Sequence, residues 1–180
     1  MTEHKIVAVV GMCGTGKSVV TEYFKSKGWE SVYFGGVTME VLEQRGLPKN
    51  EQNERAVRES LRAEYGPGAF AKLLLPRIEK AASEKDTVLD GLYSWSEYKE
   101  LKERFGDRLT VLAVITPRRI RYERLTTRAV RPLTNAEAEA RDIAEIENLE
   151  KGGPIAIADL FLDNSGSLEE LTRQLEALFG

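Results

Sequence analysis

At 180 residues the chain is sized for one domain, or for one domain with a mobile insert, and it is long enough to bury a core. Its 42% hydrophobic and 31% charged residues exclude wholesale disorder, and a net charge of -3 gives no electrostatic reason to expect nucleic acid as a partner. The single cysteine, Cys13, excludes an internal disulfide, and no apolar run reaches membrane-spanning length. Met1-Thr2-Glu3-His4-Lys5 leads straight into an apolar run and leaves no room for a signal peptide, so a cytoplasmic protein away from membranes is expected.

In chain order, Lys5–Val10 is short, apolar and β-branched, as a buried parallel strand should be. A glycine-rich turn follows, and then a helical pattern from Val19 to Lys27. Trp29–Phe34 reads as a second strand closed by Gly35-Gly36, and Val37–Arg45 as a short helix ended by Gly46-Leu47-Pro48. A charged helix spans Glu51–Tyr65 and stops at Gly66-Pro67-Gly68. Ala69–Ser83 is helical again, with Pro76 expected to kink or split it. Thr87–Asp90 is a third strand, and Ser96–Phe105 a helix for which Ser94 and Glu97 have capping-box spacing. Leu109–Ile115 is almost wholly apolar, so this fourth strand is expected at the centre of the sheet. Thr116-Pro117 is read as N-cap and first position of a helix running to Thr127. Arg128–Leu133 is a loop, and Thr134 with Glu137 caps a helix ending near Lys151 at Gly152-Gly153-Pro154. Ala158–Leu162 is the last strand, and Ser167 with Glu170 caps a closing helix, Leu168–Phe179. The alternation predicts an α/β fold: a parallel five-stranded sheet with helices on both faces, and ligands beyond the carboxyl ends of the strands.

The most informative stretch is Gly11-Met12-Cys13-Gly14-Thr15-Gly16-Lys17-Ser18, which fits G-x-x-x-x-G-K-[ST], the phosphate-binding P-loop, between a strand and a helix as its mechanism requires. Gly11, Gly14 and Gly16 let successive amides converge, and the helix beginning near Val19 adds partial positive charge. Lys17 is a point charge for the β- and γ-phosphates of ATP, and Ser18 a ligand for Mg²⁺. Asp90, at the end of the third strand before Gly91, is placed to reach the same metal. Arg118, Arg121, Arg124 and Arg128 recur at helical spacing, with Arg131 in the following loop and Arg141 on the next helix. Arg121, Arg128, Arg131 and Arg141 are candidates for the charge on a transferring phosphoryl group; Arg118 and Arg119 are read as a solvated face. In the charged helix most arginines are surface pairs, with Arg62 the candidate for an acceptor's phosphate. Asn164, in the polar turn after the last strand, is a candidate base contact. His4 is read as solvated, Trp29 and Trp95 as packing, and Cys13 as a tolerated loop position.

Together, the P-loop, Asp90-Gly91, the Arg-rich helix before a short lid, and the polar turn at Asn164 resemble the nucleoside-monophosphate-kinase group of P-loop kinases over essentially the whole chain. The likeness is greatest to small proteins described as adenylate-kinase-related or dephospho-CoA-kinase-like, through Leu61-Arg62-Ala63-Glu64-Tyr65-Gly66, Asp90-Gly91-Leu92-Tyr93-Ser94 with Glu97, Arg141-Asp142, and Ile157-Ala158-Asp159 through Asn164. Two departures stand on the acceptor side. Phe34-Gly35-Gly36-Val37 replaces an acidic motif of dephospho-CoA kinases, and Tyr93 replaces an arginine of the small relatives.

The resemblance implies a three-layer P-loop NTPase fold with a short helical lid at about 117–150 and an acceptor-binding segment at about 37–83. It also implies an acceptor site near Gly35, Gly36, Gly91, Tyr93 and Arg62. The expected activity is Mg²⁺-dependent transfer of the γ-phosphate of ATP to a nucleotide or nucleotide-like acceptor, by a monomer or homodimer. The alternative is a P-loop ATPase or nucleotide-sensing module with no small-molecule acceptor. A GTPase switch fits less well, because the chain has no Asn-Lys-x-Asp segment and no Asp-x-x-Gly segment after the third strand.

Overall fold

Every residue of Ile6–Val10 (β1) is buried, as an apolar run must be when a strand is covered on both faces. The computed structural model describes residues 4–180, residue 51 by its backbone alone; the reading of Met1-Thr2-Glu3 as a lead-in to β1 lies outside them. From β1 the chain runs through the glycine-rich turn into α1 (Lys17–Ser26), β2 (Glu30–Tyr33), α2 (Gly36–Gln44), α3 (Glu51–Tyr65), α4 (Ala69–Glu84) and β3 (Thr87–Asp90). It continues through α5 (Trp95–Phe105), a 3-10 turn, β4 (Leu109–Ile115), α6 (Arg118–Thr127), α7 (Asn135–Leu149), α8 (Gly152–Ala156), β5 (Leu160–Asp163) and α9 (Leu168–Phe179).

The strands form one parallel sheet in the order β2-β3-β1-β4-β5. The centre is β1, with β4 one place from it. Side chains of β1 alternate between two cores, following the two-residue period of a strand. Ile6, Ala8 and Val10 pack with Leu74 and Ile78 of α4 and Leu101 of α5, while Val7 and Val9 pack with Val20 and Phe24 of α1 and Leu171 and Leu175 of α9. This is the parallel sheet with helices on both faces that the alternation predicts, and the three-layer α/β P-loop fold that the resemblance implies. Val9 is in register with Asp90, so the end of β3 lies beside the turn that leaves β1.

The three expected capping boxes, Ser94/Glu97, Thr134/Glu137 and Ser167/Glu170, are present with both of their hydrogen bonds. Other expectations need correction. Pro76 does not split α4: the helix is continuous, and Pro76 sits on its exposed side, where water can take the freed carbonyl. Pro117 is the N-cap of α6, one residue later than expected, because the Thr116 hydroxyl bonds the carbonyls of Ile115 and Asn164 instead. Gly152-Gly153-Pro154 does not act as a plain stop. Glu150, at φ 50°, ends α7, and Pro154 is accommodated in the first turn of α8, where its missing amide has no helical partner to lose. The last strand begins at Leu160, two residues later than expected. His4 is partly exposed, with its Nδ1 3.4 Å from Asp86 Oδ1.

Candidate functional site

The glycine-rich turn is built for an anion. Gly14 and Gly16 take φ values of 85° and 88°, conformations that glycine adopts without strain. A side chain at Gly16 would collide with the Asn164 amide, and a Cβ at Gly11 would come 2.6 Å from the Val114 carbonyl, so the backbone is drawn tight. Gly16 is the N-cap of α1 and offers no side-chain cap, and the amides of Gly14, Gly16, Lys17 and Ser18 find no acceptor among the described residues. The Lys17 ammonium turns into this cradle and donates to the carbonyls of Gly11 (2.8 Å) and Met12 (3.1 Å). Converging unsatisfied amides, a helix N-terminus and a lysine fit a polyphosphate.

Burial, then the neighbouring ammonium of Lys151, pushes Lys17 down to about 8 from 10.5. Asp90 is held above the usual carboxylate range by burial, opposed by Lys17 and by the Thr21 hydroxyl beside it. No cluster of three or more acidic, His or Cys side chains suited to a metal occurs among the described residues. The donor set of Ser18 and Asp90 therefore fits Mg²⁺ only where phosphate oxygens and water supply the remaining ligands, the usual arrangement for this ion.

Two further predicted residues, Arg121 and Asn164, meet the loop. Arg121 is buried and donates to the Cys13 carbonyl at 2.9 Å while gripping Asp142 through both oxygens, at 2.9 and 2.6 Å. Cys13 itself packs against Leu125 of α6 and Ala138 of α7. Asn164 donates its amide to the Thr15 carbonyl at 2.8 Å, and Arg124 to the Asn164 carbonyl at 2.8 Å. In this structure Arg121 and Asn164 brace the loop from outside.

The contacts of the other lid arginines among the described residues lie elsewhere. Arg128 donates to the Arg131 carbonyl, Arg131 reaches Glu54 of α3 at 3.4 Å, and Arg141 lies 3.5 Å from Glu145. Among the described residues neither Arg128 nor Arg131 pairs with Glu123 or Glu137; Glu137 is used in its capping box.

On the acceptor side, Gly91 at φ 100° is covered by Tyr93, whose hydroxyl lies 2.6 Å from where a Cβ would be. Burial, then the Tyr33 hydroxyl, raises the Tyr93 phenol above its ordinary range. Glu97 is fully buried. One of its oxygens accepts from the amides of Tyr93 (2.9 Å) and Ser94 (3.2 Å), and the other has no hydrogen-bond partner among the described residues. Burial pushes Glu97 up to about 7, opposed by those amides and by Arg62 and Lys151. Arg62 stands over the Phe70 ring at 5.0 Å, its Nε buried without a hydrogen-bond partner among the described residues. A groove of about 510 Å³ takes Tyr33 from the end of β2 and Gly36 from the start of α2, but its far wall is α4, and Arg62, Gly91 and Tyr93 are not among its lining residues.

Sequence reasoning missed Asp142 as the partner of Arg121, and Glu145 and Lys151 altogether. Lys151 stood at an expected helix end, and nothing in its spacing marks it as buried.

The geometry defines a P-loop protein with the α/β architecture of small kinases. A family model described as an AAA domain matches residues 7–145. The chain is 36% identical over 177 residues to a UPF0200 protein of Thermococcus gammatolerans, covering 96% of this chain and 93% of that one. It is 41% identical over 168 residues to a UPF0200 protein of Aeropyrum pernix, covering 92% and 87%. This chain belongs to the UPF0200 family. Among solved structures it is similar to TT1252 from Thermus thermophilus (TM-score 0.68, 23% identity, 98% and 97% of the two chains). It is also similar to a shikimate kinase from Bacteroides thetaiotaomicron (TM-score 0.61, 13% identity, 97% and 98%), a likeness of fold. Among the described residues no helix is long and apolar enough to cross a membrane.

Proposed function

We propose that this chain is a small-molecule kinase that passes the γ-phosphate of ATP to a nucleotide or nucleotide-like acceptor. The observation that carries the reading is the Lys17 ammonium turned into a cradle of unsatisfied amides, with Asp90 on the adjacent strand. Lys17 and the loop amides bind the triphosphate. Ser18 and Asp90 would hold Mg²⁺, which supplies charge neutralisation on the phosphate oxygens. Arg121, fixed by Asp142, and Asn164 keep the loop in its binding shape. Catalysis is then positioning and charge stabilisation in a space that the α6–α7 segment shields from water. The acceptor would bind on the side of Gly91, Tyr93 and Arg62, a reading supported by Arg62 Nε and Glu97 Oε1, buried without hydrogen-bond partners among the described residues. The kinase-type fold and the AAA-domain match support nucleotide handling; the departures at Gly35-Gly36 and Tyr93 leave the acceptor to experiment.

A thermal-shift screen of nucleoside monophosphates, nucleosides and dephospho-CoA, each with a non-hydrolysable ATP analogue, tests the reading, because a ligand that binds only the folded state raises its stability. A shift beyond that of the analogue alone identifies an acceptor. Stabilisation by the analogue without any further shift across the panel favours an ATPase or sensor.

A further inference from the structure

The two edges of the sheet, β2 and β5, are finished differently. At the β5 edge one side chain takes the backbone groups of Asp163: Gln174 of α9 accepts from its amide at 2.9 Å and donates to its carbonyl at 2.8 Å. The β2 edge has no such cover. Glu30 and Phe34 donate their amides to the carbonyls of Asp86 and Asp90 on the β3 side, at 2.9 and 3.0 Å. By the alternation of a strand, the N–H and C=O groups of Ser31 and Tyr33 therefore point away from the sheet. Among the described residues no turn, loop or side chain bonds those four groups. Proteins commonly blunt an edge strand with lysine, proline or a bulge, and Glu30-Ser31-Val32-Tyr33 has none of these.

The groove of about 510 Å³ runs along this edge, with α4 as its far wall. Its charged lining is balanced, three acidic and three basic side chains. Arg77 and Glu40 satisfy each other through both carboxylate oxygens, at 2.6 and 2.5 Å. Glu30, Lys80, Glu84 and Lys85 have no ion-pair partner among the described residues. Balanced charge gives no net attraction for an anionic ligand, but it can complement a rotated copy of itself. The order of the charges suits such a rotation. Glu30 is in register with Thr87, three residues after Glu84, so α4 runs antiparallel to β2, with Glu84 at the start of the strand and Arg77 towards its end. A two-fold axis at the middle of β2 brings the Arg77 end of one copy to the Glu84 end of the other. Arg77 keeps N–H donors beyond the two that Glu40 takes.

We infer that β2 pairs antiparallel with β2 of a second copy of this chain, about a two-fold axis at Val32. Ser31 and Tyr33 of one copy then exchange N–H···O=C bonds with Tyr33 and Ser31 of its partner, two from each strand. The two sheets become continuous, α4 of both copies lies on one face of the joined sheet, and Arg77 of each faces Glu84 of the other. Gln174 keeps the β5 edge closed, so the assembly stops at a dimer. This inference is independent of the phosphoryl-transfer reading.

The test is sedimentation velocity of the intact protein from micromolar to submillimolar concentration, which should show a monomer–dimer equilibrium and no larger species. Ser31→Pro removes an amide that the ladder with β3 does not use, at an edge position where proline is tolerated, and puts its ring in the path of the partner's backbone. Losing those hydrogen bonds should raise the dimer dissociation constant by about tenfold or more. A second variant reads the register even where Ser31→Pro fails to fold. In a Cys13→Ala background, Val32→Cys places two thiols on directly opposed residues that are not hydrogen-bonded to each other, with Cα atoms about 4.5 Å apart, within disulfide reach. Oxidised glutathione should convert most of this variant to a covalent dimer that dithiothreitol reverses, while Cys13→Ala alone stays uncrosslinked. A protein monomeric at every concentration, a dimer whose dissociation constant Ser31→Pro leaves unchanged, growth beyond the dimer, or no crosslink in the Val32→Cys variant would overturn the inference.

Discussion

At the scale of single residues, two perturbed groups give the site a measurable signature. Lys17 ionises at about 8 in the fold against 10.5 ordinarily. The folded state therefore binds fewer protons than the unfolded chain between those values. Its contribution to stability is least favourable below pH 8 and improves as the pH rises to 10.5. A bound polyphosphate favours the charged form, so nucleotide binding near pH 8.5 should take up a proton at Lys17, and near pH 6.5 should take up almost none there. Calorimetry in buffers of different ionisation enthalpy reads this directly. A buffer-independent enthalpy at pH 8.5 would remove Lys17 from the phosphate site. Asp90 sits across the strand register from Val9, half-buried beside Lys17. Asp90→Asn keeps its shape and removes its charge, so turnover should need more Mg²⁺ while nucleotide affinity changes little. An unchanged Mg²⁺ dependence would return Asp90 to a turn-forming role.

At the scale of elements, α7 is anchored to the rest of the site by two buried ion pairs, Asp142 with Arg121 and Glu145 with Lys151. Removing one partner of a buried pair leaves an uncompensated charge, so Asp142→Ala should lose about 3–5 kcal/mol in denaturant unfolding. A loss below about 1 kcal/mol would show that α7 is held by other contacts. At the start of α5, Glu97 ionises at about 7 against 4.5 ordinarily, so the folded state binds more protons across that window and the stability it contributes falls as pH rises from 4.5 to 7. Glu97→Gln can still accept the capping hydrogen bonds and should flatten that slope, a difference on the order of 3 kcal/mol between the two ends. A parallel pH profile in the variant would contradict it.

These anchors mark the limit of what the sequence made legible. The P-loop, the strand order of events around it and the three capping boxes follow from local spacing, and all are present. Arg121–Asp142 joins residues 21 apart on two helices, and Lys151 is buried only through the left-handed turn at Glu150 and the short α8. No local pattern reports such pairings, because they depend on how helix faces meet. The proline errors have a common cause: a proline on an exposed face or in a first turn leaves fewer buried carbonyls unsatisfied than the rule for helix interiors assumes.

At the scale of the molecule, the sheet places the P-loop, Asp90 and the turn after β5 at the carboxyl ends of parallel strands, and α6 and α7 pack on the P-loop through Arg121, Leu125 and Ala138. The loop between α6 and α7 touches α3 through Arg131 and Glu54, linking the expected lid to the expected acceptor segment. If the lid acts during transfer, this contact has to exchange. Arg128→Ala should then lower kcat by on the order of 10³, the range of arginine fingers, with ATP affinity nearly unchanged. Single-turnover chemistry at the wild-type rate would take the lid arginines out of the mechanism. The central claim is phosphoryl transfer, and its most direct measurement follows the γ-phosphate of ATP by ³¹P NMR, with Mg²⁺ and the acceptor found by thermal shift, in wild type and Lys17→Ala. The account predicts that the γ signal moves to a phosphomonoester or phosphoanhydride of the acceptor in the wild type and stays on ATP in the variant. Release of inorganic phosphate alone, or transfer that survives Lys17→Ala, would contradict it.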